Sequence, residues 1–177
     1  MRKLKLEELN RPENEEYKNL DKNPVVLILD NIRSMHNVGS TFRTADAFLV
    51  EKIWLCGITA TPPNREINKT ALGATESVEW GYSEKGADIV ADLKNKGYKI
   101  VCLEQTSGSI LMQNFPLNPD QKYCFVFGNE VFGVDDAIIS LADACVEIPQ
   151  FGTKHSLNVS VSVGITLWDY YTKTNRF

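Results

Sequence analysis

The stretch IPQFGTKHSLNVSVSVGITLW, residues 148–168, joins a loop containing Pro and Gly to a run of regularly spaced apolar residues. From Leu157 to Leu167 every second residue is apolar, which is the alternation expected of a half-buried strand. A helix fits the same letters, because Leu157, Val161 and Trp168 share one helical row. Periodicity alone favours the strand, and the helical alternative stays open at this point.

Upstream of this stretch, short apolar runs alternate with segments of helical pattern. The apolar run 25–30 comes first, and 37–49 follows it with Phe42, Ala45 and Phe48 on one predicted helical face. The other predicted strands are 52–57, 77–82, 98–104, 122–128 and 144–149, the other predicted helices are 86–97 and 134–142, and 59–68 is a predicted loop. Strands that alternate with helices predict an α/β fold, with a mainly parallel sheet flanked by helices.

The length of 177 residues and the composition, 43% hydrophobic and 24% charged, suit one globular domain. We assign this domain to residues 24–177 and regard residues 1–23 as a polar N-terminal extension. No apolar segment has the length of a membrane span, and the N-terminus lacks the apolar core of a signal peptide. The protein is therefore expected to be cytoplasmic and to have no membrane partner.

Cysteine and histidine placement bears on redox state and metal binding. Four cysteines lie far apart in apolar segments, at positions 56, 102, 124 and 145. This pattern is typical of free packing residues rather than of zinc ligands or disulfides. The two histidines, His36 and His155, lack carboxylate partners at a ligand-like spacing, so no metal site is predicted.

Three loops rich in Gly and polar residues each follow a predicted strand, at 30–48, 127–134 and 148–162. Parallel α/β proteins bind ligands at the carboxyl ends of their strands, which is where these loops emerge. The common nucleotide motifs are missing, since there is no GxGxxG, and GNEVFG is followed by Val-Asp instead of Lys-Ser or Lys-Thr. The loops therefore indicate a binding site of another kind.

Polar residues in these loops also have structural explanations when they are taken singly. Asn37 and Ser156 are suitable helix caps, Arg43 suits a solvated helix face, and Glu130 suits an exposed turn. Three such loops in one small domain are harder to explain as turns alone. Their coincidence favours a shared site.

These loops resemble, in order and approximate spacing, the three motifs of the SPOUT class of methyltransferases, specifically its SpoU (TrmH-type) RNA 2′-O-ribose methyltransferases. The motif residues are Asn37, Gly39 and Arg43 in the first loop, Gly128, Asn129, Glu130 and Gly133 in the second, and Ile148, Pro149, Gly152, Ser156, Leu157 and Asn158 in the third. The likeness runs from about residue 24 to 172. Leu49 departs from it, because a Gly commonly follows the Ala-Phe pair in that family.

The resemblance implies a fold with a C-terminal deep trefoil knot, the SPOUT α/β knot. In that fold the segment after Ser156 is a helix, which reverses the strand that periodicity favours. Family members are homodimers with the site near the interface, and they bind S-adenosylmethionine. The residues implied to hold this cofactor are Thr106, Gly128, Ile148, Ser156 and Leu157.

By the same resemblance, the catalytic residues are Asn37, Arg43, Glu130, Ser156 and Asn158. The implied reaction is attack of a ribose 2′-OH on the sulfonium methyl group of the cofactor. Arg43 matches a residue often described in the family as a general base. A guanidinium stays protonated in proteins, so stabilising negative charge or positioning a phosphate is at least as suitable a role.

RNA is the expected partner, and tRNA is favoured over rRNA. Larger family members carry a separate RNA-binding domain, and the roughly 24 residues before the first predicted strand are too few for one. The alternative is a non-catalytic RNA-binding or assembly factor that keeps the fold.

The overall charge bears on this expectation. A net charge of −4 and a pI near 5.3 would by themselves argue against a nucleic-acid partner. However, residues 100–147 hold one basic and seven acidic residues, so the acidity is concentrated in one stretch. We therefore expect a salt-sensitive RNA surface on one face, supplied by basic residues in or near the motif loops: Arg33, Arg43, Lys69 and Lys154.

Overall fold

The computed structural model describes residues 1–176 and contains one seven-stranded sheet in which every pairing is parallel. The strands are β1 (Asn23–Asp30), β2 (Val50–Cys56), β3 (Trp80–Ser83), β4 (Tyr98–Leu103), β5 (Ile110–Leu111), β6 (Lys122–Phe127) and β7 (Ala144–Glu147). Their order in the sheet is β3-β2-β1-β6-β4-β7-β5. The predicted α/β class with a mainly parallel sheet is confirmed.

Seven helices connect or flank the strands within the described residues. They are α1 (Asn14–Asn19), α2 (Met35–Ala47), α3 (Arg65–Ala71), α4 (Ala74–Ser77), α5 (Gly86–Asn95), α6 (Asp136–Leu141) and α7 (Val159–Thr174), with 3-10 turns at Leu6–Leu9 and Met112–Asn114. The prediction of a loop over 59–68 is wrong in its second half. Asn64 caps α3 there, because its side chain accepts hydrogen bonds from the N–H groups of Glu66 and Ile67.

The strand that alternation favours after Leu157 is wrong, and the helix implied by the resemblance is present as α7. Its buried residues Val159, Val163, Leu167 and Tyr170 recur at helical spacing. Val161, which a strand would place on the same face as those valines, is 49% exposed. One buried helical face, rather than the local alternation, therefore decides the structure of this segment.

Both faces of the sheet are covered, which explains why β1 is apolar throughout. Leu27 and Leu29 face one core with α2 and α7, whereas Val26 and Ile28 face a second core with α5 and α6. Cys102 and the other cysteines are free, as predicted, and three of the four are buried.

The N-terminal segment 1–23, predicted to be a polar extension, packs in part on the domain. Tyr17 of α1 is buried, and its hydroxyl donates a hydrogen bond to the carbonyl of Asp46 at 3.1 Å. The predicted domain ends at residue 177, and this last residue lies outside those described. None of the helices within residues 1–176 combines the length and the apolar character that crossing a membrane requires.

Candidate functional site

The three motif loops converge because of the strand order. β1, β6, β4 and β7 are neighbours in the sheet, and all run in the same direction, so their carboxyl ends lie along one edge. The loop after β4 joins the three motif loops at this edge. The loops after β4, β6 and β7 thereby meet around one cavity, and the loop after β1 lies at its edge.

The cavity has a volume of about 360 Å³ and is lined by all of these segments except the loop after β1. Its lining residues are Leu103, Glu104, Gln105, Phe127, Gly128, Asn129, Glu130, Val131, Gly133, Val146, Glu147, Ile148, Gln150, His155, Ser156, Leu157, Val159 and Ser162. The volume is that of a small-molecule site, and apolar walls from three strand ends alternate with polar loop groups.

Four of the five residues implied to bind the cofactor line this cavity, namely Gly128, Ile148, Ser156 and Leu157. Thr106 does not line it, and its predecessors Glu104 and Gln105 do. Gly128 is required by close packing, because a Cβ there would lie 2.2 Å from the carbonyl carbon of Gly133 and from the nitrogen of Val134. The turn can therefore fold back over the end of β6 only with Gly at this position.

A chain of side-chain hydrogen bonds links the three motif loops at the edge of the cavity. The Asn37 amide donates to Oε1 of Glu130 at 3.4 Å, and the Asn158 amide donates to Oδ1 of Asn37 at 3.0 Å. The carboxylate of Glu130 also accepts hydrogen bonds from the backbone N–H groups of Arg33 and Ser34, at 3.2 and 3.3 Å. Three implied catalytic residues are thus held together in one network.

The helix caps differ from those suggested by single-residue reasoning. Ser34, not Asn37, caps α2, and its Oγ accepts a hydrogen bond from the N–H of Asn37 at 3.3 Å. Asn158, not Ser156, caps α7 through Oδ1 and the N–H of Ser160 at 2.9 Å. Asn158 therefore has two roles, because its side-chain oxygen caps the helix while its amide nitrogen donates a hydrogen bond to Asn37.

The network sets the ionisation of Glu130. Partial burial raises the pKa of this carboxyl, but hydrogen bonds from its own N–H, from Arg33 and Ser34, and from the Asn37 amide lower it more. The pKa of Glu130 therefore lies below the ordinary value for a glutamate, and the carboxylate is ionised at neutral pH. An ionised carboxylate can only accept hydrogen bonds, so it orients the amides on either side of it.

Two polar residues that the sequence reasoning left without a role hold the second motif loop in place. Asn129 is 7% exposed, and its amide donates to the carbonyl of Asn31 at 2.7 Å while its oxygen accepts from the N–H groups of Val131 and Phe132. Glu104 accepts hydrogen bonds from the N–H groups of Val134 and Gln105, both at 2.9 Å. Glu104 ends the predicted strand 98–104, so the rule that ligand sites follow strand ends was the available signal for it.

Arg43 stands apart from this network. It is exposed on α2, it does not line the cavity, and it forms no hydrogen bond or ion pair with residues 1–176. The same helix approaches α3 closely at Gly39, where a Cβ would lie 2.2 Å from the carbonyl oxygen of Ile67. The structure therefore presents the Arg43 guanidinium to solvent from a tightly packed helix.

The charged lining of the cavity is acidic. Glu104, Glu130 and Glu147 line it, and no Lys or Arg side chain among residues 1–176 does so. Over the same residues, no group of three or more His, Cys, Asp or Glu is arranged to hold a metal ion. The arrangement suits a small ligand that carries positive charge.

Residues 24–168 match the SpoU rRNA Methylase family, and the chain belongs to this family. It is 35% identical over 149 residues to the 23S rRNA (guanosine-2′-O-)-methyltransferase RlmB of Neisseria meningitidis, covering 84% of this chain and 58% of that protein. It is 32% identical over 149 residues to the tRNA (guanosine(18)-2′-O)-methyltransferase of Aquifex aeolicus, covering 82% and 67%.

The fold is shared with the AdoMet-bound rRNA methyltransferase of Sinorhizobium meliloti. The two structures superpose with a TM-score of 0.78 at 24% sequence identity, over 88% of this chain and 59% of that one. The chain therefore spans somewhat more than half the length of several of the proteins it matches.

The lowered pKa of Glu130 leads to a pH-dependent prediction. Because the folded state binds the proton of Glu130 more weakly than the unfolded state, the stabilisation is present at neutral pH. It is lost as the pH falls from the ordinary glutamate range through the lowered pKa. Glu130→Gln should therefore lower the melting temperature at neutral pH, and the difference from wild type should shrink in acid. Thermal unfolding followed by circular dichroism measures this, with the exposed Glu84→Gln as control; a pH-independent difference would contradict it.

Proposed function

We propose that this protein is an S-adenosylmethionine-dependent RNA methyltransferase that transfers a methyl group to a ribose 2′-OH, with tRNA as the first candidate substrate and rRNA as the second. The observation that carries the proposal is the Glu130–Asn37–Asn158 network, which assembles residues of all three motifs beside a cavity of cofactor size. The relatives named above, which act on 23S rRNA and on tRNA, support both substrates.

The cavity fits S-adenosylmethionine in size and in chemistry. Ile148 and Leu157 offer an apolar wall for the adenine, and the chain at Gln105 and Gly128 offers backbone groups close to the ligand. When bound, the cofactor supplies an electrophilic methyl group on a positively charged sulfur. The acidic lining complements that charge, and Glu147 is the carboxylate in it that has no hydrogen-bond partner within residues 1–176.

The residues of the network would orient the reacting ribose. A 2′-OH is a weak nucleophile at neutral pH, so the attack needs a hydrogen-bonded, correctly aimed hydroxyl and stabilisation of developing negative charge. Ser156 in the cavity wall and Asn158 beside it would position the hydroxyl, with Asn37 and Glu130 holding Asn158 in place. Arg43, which stays protonated, would stabilise negative charge on the ribose or hold the adjacent phosphate.

Basic side chains near the site would supply phosphate contacts. Arg33, Arg43 and Lys154 are exposed and unpaired within the described residues. Lys69 contributes less, because its ammonium group pairs with Glu66 at 2.7 Å. The electrostatic contribution to RNA binding is therefore expected to be modest, confined to one face and sensitive to salt.

A homodimer is the assembly we propose, formed through α7. Its outward face carries Val161, 49% exposed, and Trp168, 57% exposed, next to an apolar recess of about 340 Å³ that Ile148 and Pro149 also line. An apolar strip of this kind on a helix suits contact with a second copy. Its continuity with the cavity through Ile148 would place the interface beside the site.

Two further assignments accompany this proposal. The loop 148–158 lies against the loop after β4, where the Gln105 amide donates to the carbonyl of His155 at 3.0 Å, and α7 then packs on α2. This path supports a trefoil knot, which an experimental chain trace through residues 104–159 would test.

Free cysteines and an RNA substrate support a cytoplasmic location, which fluorescence microscopy of a tagged protein would test.

Arg43→Ala is predicted to abolish methyl transfer without changing cofactor affinity, because Arg43 lies outside the cavity. Transfer of tritiated methyl groups to total tRNA and total rRNA measures activity, and isothermal titration calorimetry measures cofactor binding. The exposed Arg11→Ala, in the N-terminal segment, is the matched control.

Mass spectrometry of nucleosides from a gene-disrupted strain should show one missing 2′-O-methyl nucleoside. If none is missing and none is formed in vitro, the protein is a non-catalytic RNA-binding factor.

Glu147→Gln is predicted to weaken binding of S-adenosylmethionine while leaving S-adenosylhomocysteine nearly unaffected. The first ligand carries one more positive charge than the second, and removing a nearby carboxylate forfeits roughly 1 kcal/mol, about a fivefold change in Kd, at a partly screened site. Calorimetric titration of both ligands checks this, with the exposed Glu76→Gln as control. Equal weakening of both ligands would show that Glu147 acts by shape and not by charge.

Val161→Arg is predicted to convert a dimer into a monomer, because it places a charge on the apolar strip of α7. Sedimentation equilibrium of the wild type and the variant measures this. Leu72→Arg, at a 66% exposed leucine outside α7, should leave the mass unchanged. A wild type that sediments as a monomer at micromolar concentration would overturn the proposed assembly.

A further inference from the structure

Two phenylalanines beside the cavity are almost fully exposed, Phe132 at 87% and Phe151 at 97%. The other five phenylalanines among residues 1–176 are buried or partly buried. A large apolar side chain held in water is unfavourable by roughly 1.5–3 kcal/mol relative to a buried one. Two of them on neighbouring loops indicate a surface that is covered by a ligand in use.

Both side chains belong to loops that form the cavity. Phe132 lies between Val131 and Gly133, which line it, and Phe151 directly follows Gln150, which also lines it. Both phenylalanines therefore lie beside the cavity with their rings exposed.

The backbone that presents Phe132 is tightly held. Asn129 and Gly133 exchange two backbone hydrogen bonds of 2.9 Å, and Oδ1 of Asn129 accepts the N–H of Phe132 at 3.1 Å. Gly133 closes the turn at φ +75, a conformation that favours Gly. The ring of Phe132 therefore projects from a structured turn, so that presenting it to a ligand costs little conformational entropy.

The loop of each phenylalanine carries an exposed cation or contacts a segment that does. The N–H of Arg33 is bound by Glu130, two residues before Phe132, and Lys154 follows Phe151 by three residues. An exposed aromatic ring and an exposed cation in one surface region match a nucleotide, which offers a base face and a phosphate. This charge pattern favours RNA over a second copy of the acidic chain.

We propose that Phe132 and Phe151 stack on unpaired bases that flank the target nucleotide, so that the substrate is an unpaired or splayed segment of RNA. This rests on the proposed function and adds the class of RNA structure that it acts on. In a continuous duplex the base faces are already stacked on each other, and none is available to a protein ring. Selection of unpaired RNA then comes from the two rings, and the phosphate contacts add affinity without discrimination.

The test measures binding apart from catalysis. The full-length protein is titrated by fluorescence anisotropy against a labelled single-stranded RNA of roughly 12 nucleotides, within the range that stacking proteins cover, and against the same strand in a duplex. Phe132 and Phe151 are each changed to Ala, Leu and Trp, with Ile58→Ala, at another exposed apolar residue, as control. Cofactor affinity by calorimetry and mass by sedimentation are recorded for every variant.

The Ala and Leu variants should each weaken single-strand binding by about five- to a hundredfold, as loss of one stacked base predicts. The Trp variants should retain it, the duplex should bind more weakly than the single strand, and cofactor affinity and mass should not change. The proposal would be overturned by any of three results. The Leu variants could bind single-stranded RNA as tightly as the Trp variants, the duplex could bind as tightly as the single strand, or the Ala variants could change in mass. A mass change would show instead that the rings lie in a protein interface.

Failure of the stacking proposal can be distinguished from failure of the proposed enzymatic function. A protein that binds as expected but transfers no methyl group to any RNA refutes the enzymatic proposal and keeps the stacking surface. A double Ala variant that methylates its RNA with unchanged KM refutes the stacking surface and keeps the enzyme.

Discussion

The carboxylate of Glu130 joins the first and second motif loops at the edge of the cavity, and through Asn37 it is linked to the third. It accepts two backbone N–H groups from the first motif loop and the amide of Asn37, which in turn accepts the amide of Asn158. One hydrogen bond joins Asn37 to Glu130, 93 positions away in the sequence, and a second joins Asn37 to Asn158, 121 positions away. Because an ionised carboxylate only accepts hydrogen bonds, it sets the direction of every later bond, and Asn158 is left with its oxygen free to cap α7.

Part of the acidity that seemed to argue against RNA is committed to structural contacts. Asp135 caps α6, Asp143 pairs with Lys94 at 2.9 Å and accepts the N–H of Ile100, and Glu104 ties the second motif loop to β4. At the site, Glu104, Glu130 and Glu147 line the cavity, whereas the exposed cations Arg33, Arg43 and Lys154 do not. The net charge of the chain predicts the local charge of neither the cavity nor the surface around it, because two neighbouring regions can carry opposite signs.

Much of the architecture was accessible from short-range pattern. The apolar runs beginning at Val25, Tyr98 and Lys122 became central strands, because strands covered on both faces need apolar residues throughout. The segments starting near Asn37 and Gly86 became helices for the same local reason. The predictions were wrong where a helix cap or a long-range contact determines the local structure. Asn64 starts α3 inside a segment predicted to be a loop, and α4 occupies the start of the strand predicted at 77–82.

The amino-acid sequence alone was sufficient for the α/β class, the free cysteines and the three loops, because each depends on neighbours along the chain. The structure of residues 157–168 was decided by tertiary packing, since strand and helix both fit the letters and only the buried row of Val159, Val163 and Leu167 separates them. The same holds for the roles of Glu104 and Asn129, and for the meeting of Asn37 with Asn158. Hydrogen bonds between distant residues have no signature in local periodicity, and they exist only once the parallel strands bring their carboxyl ends together.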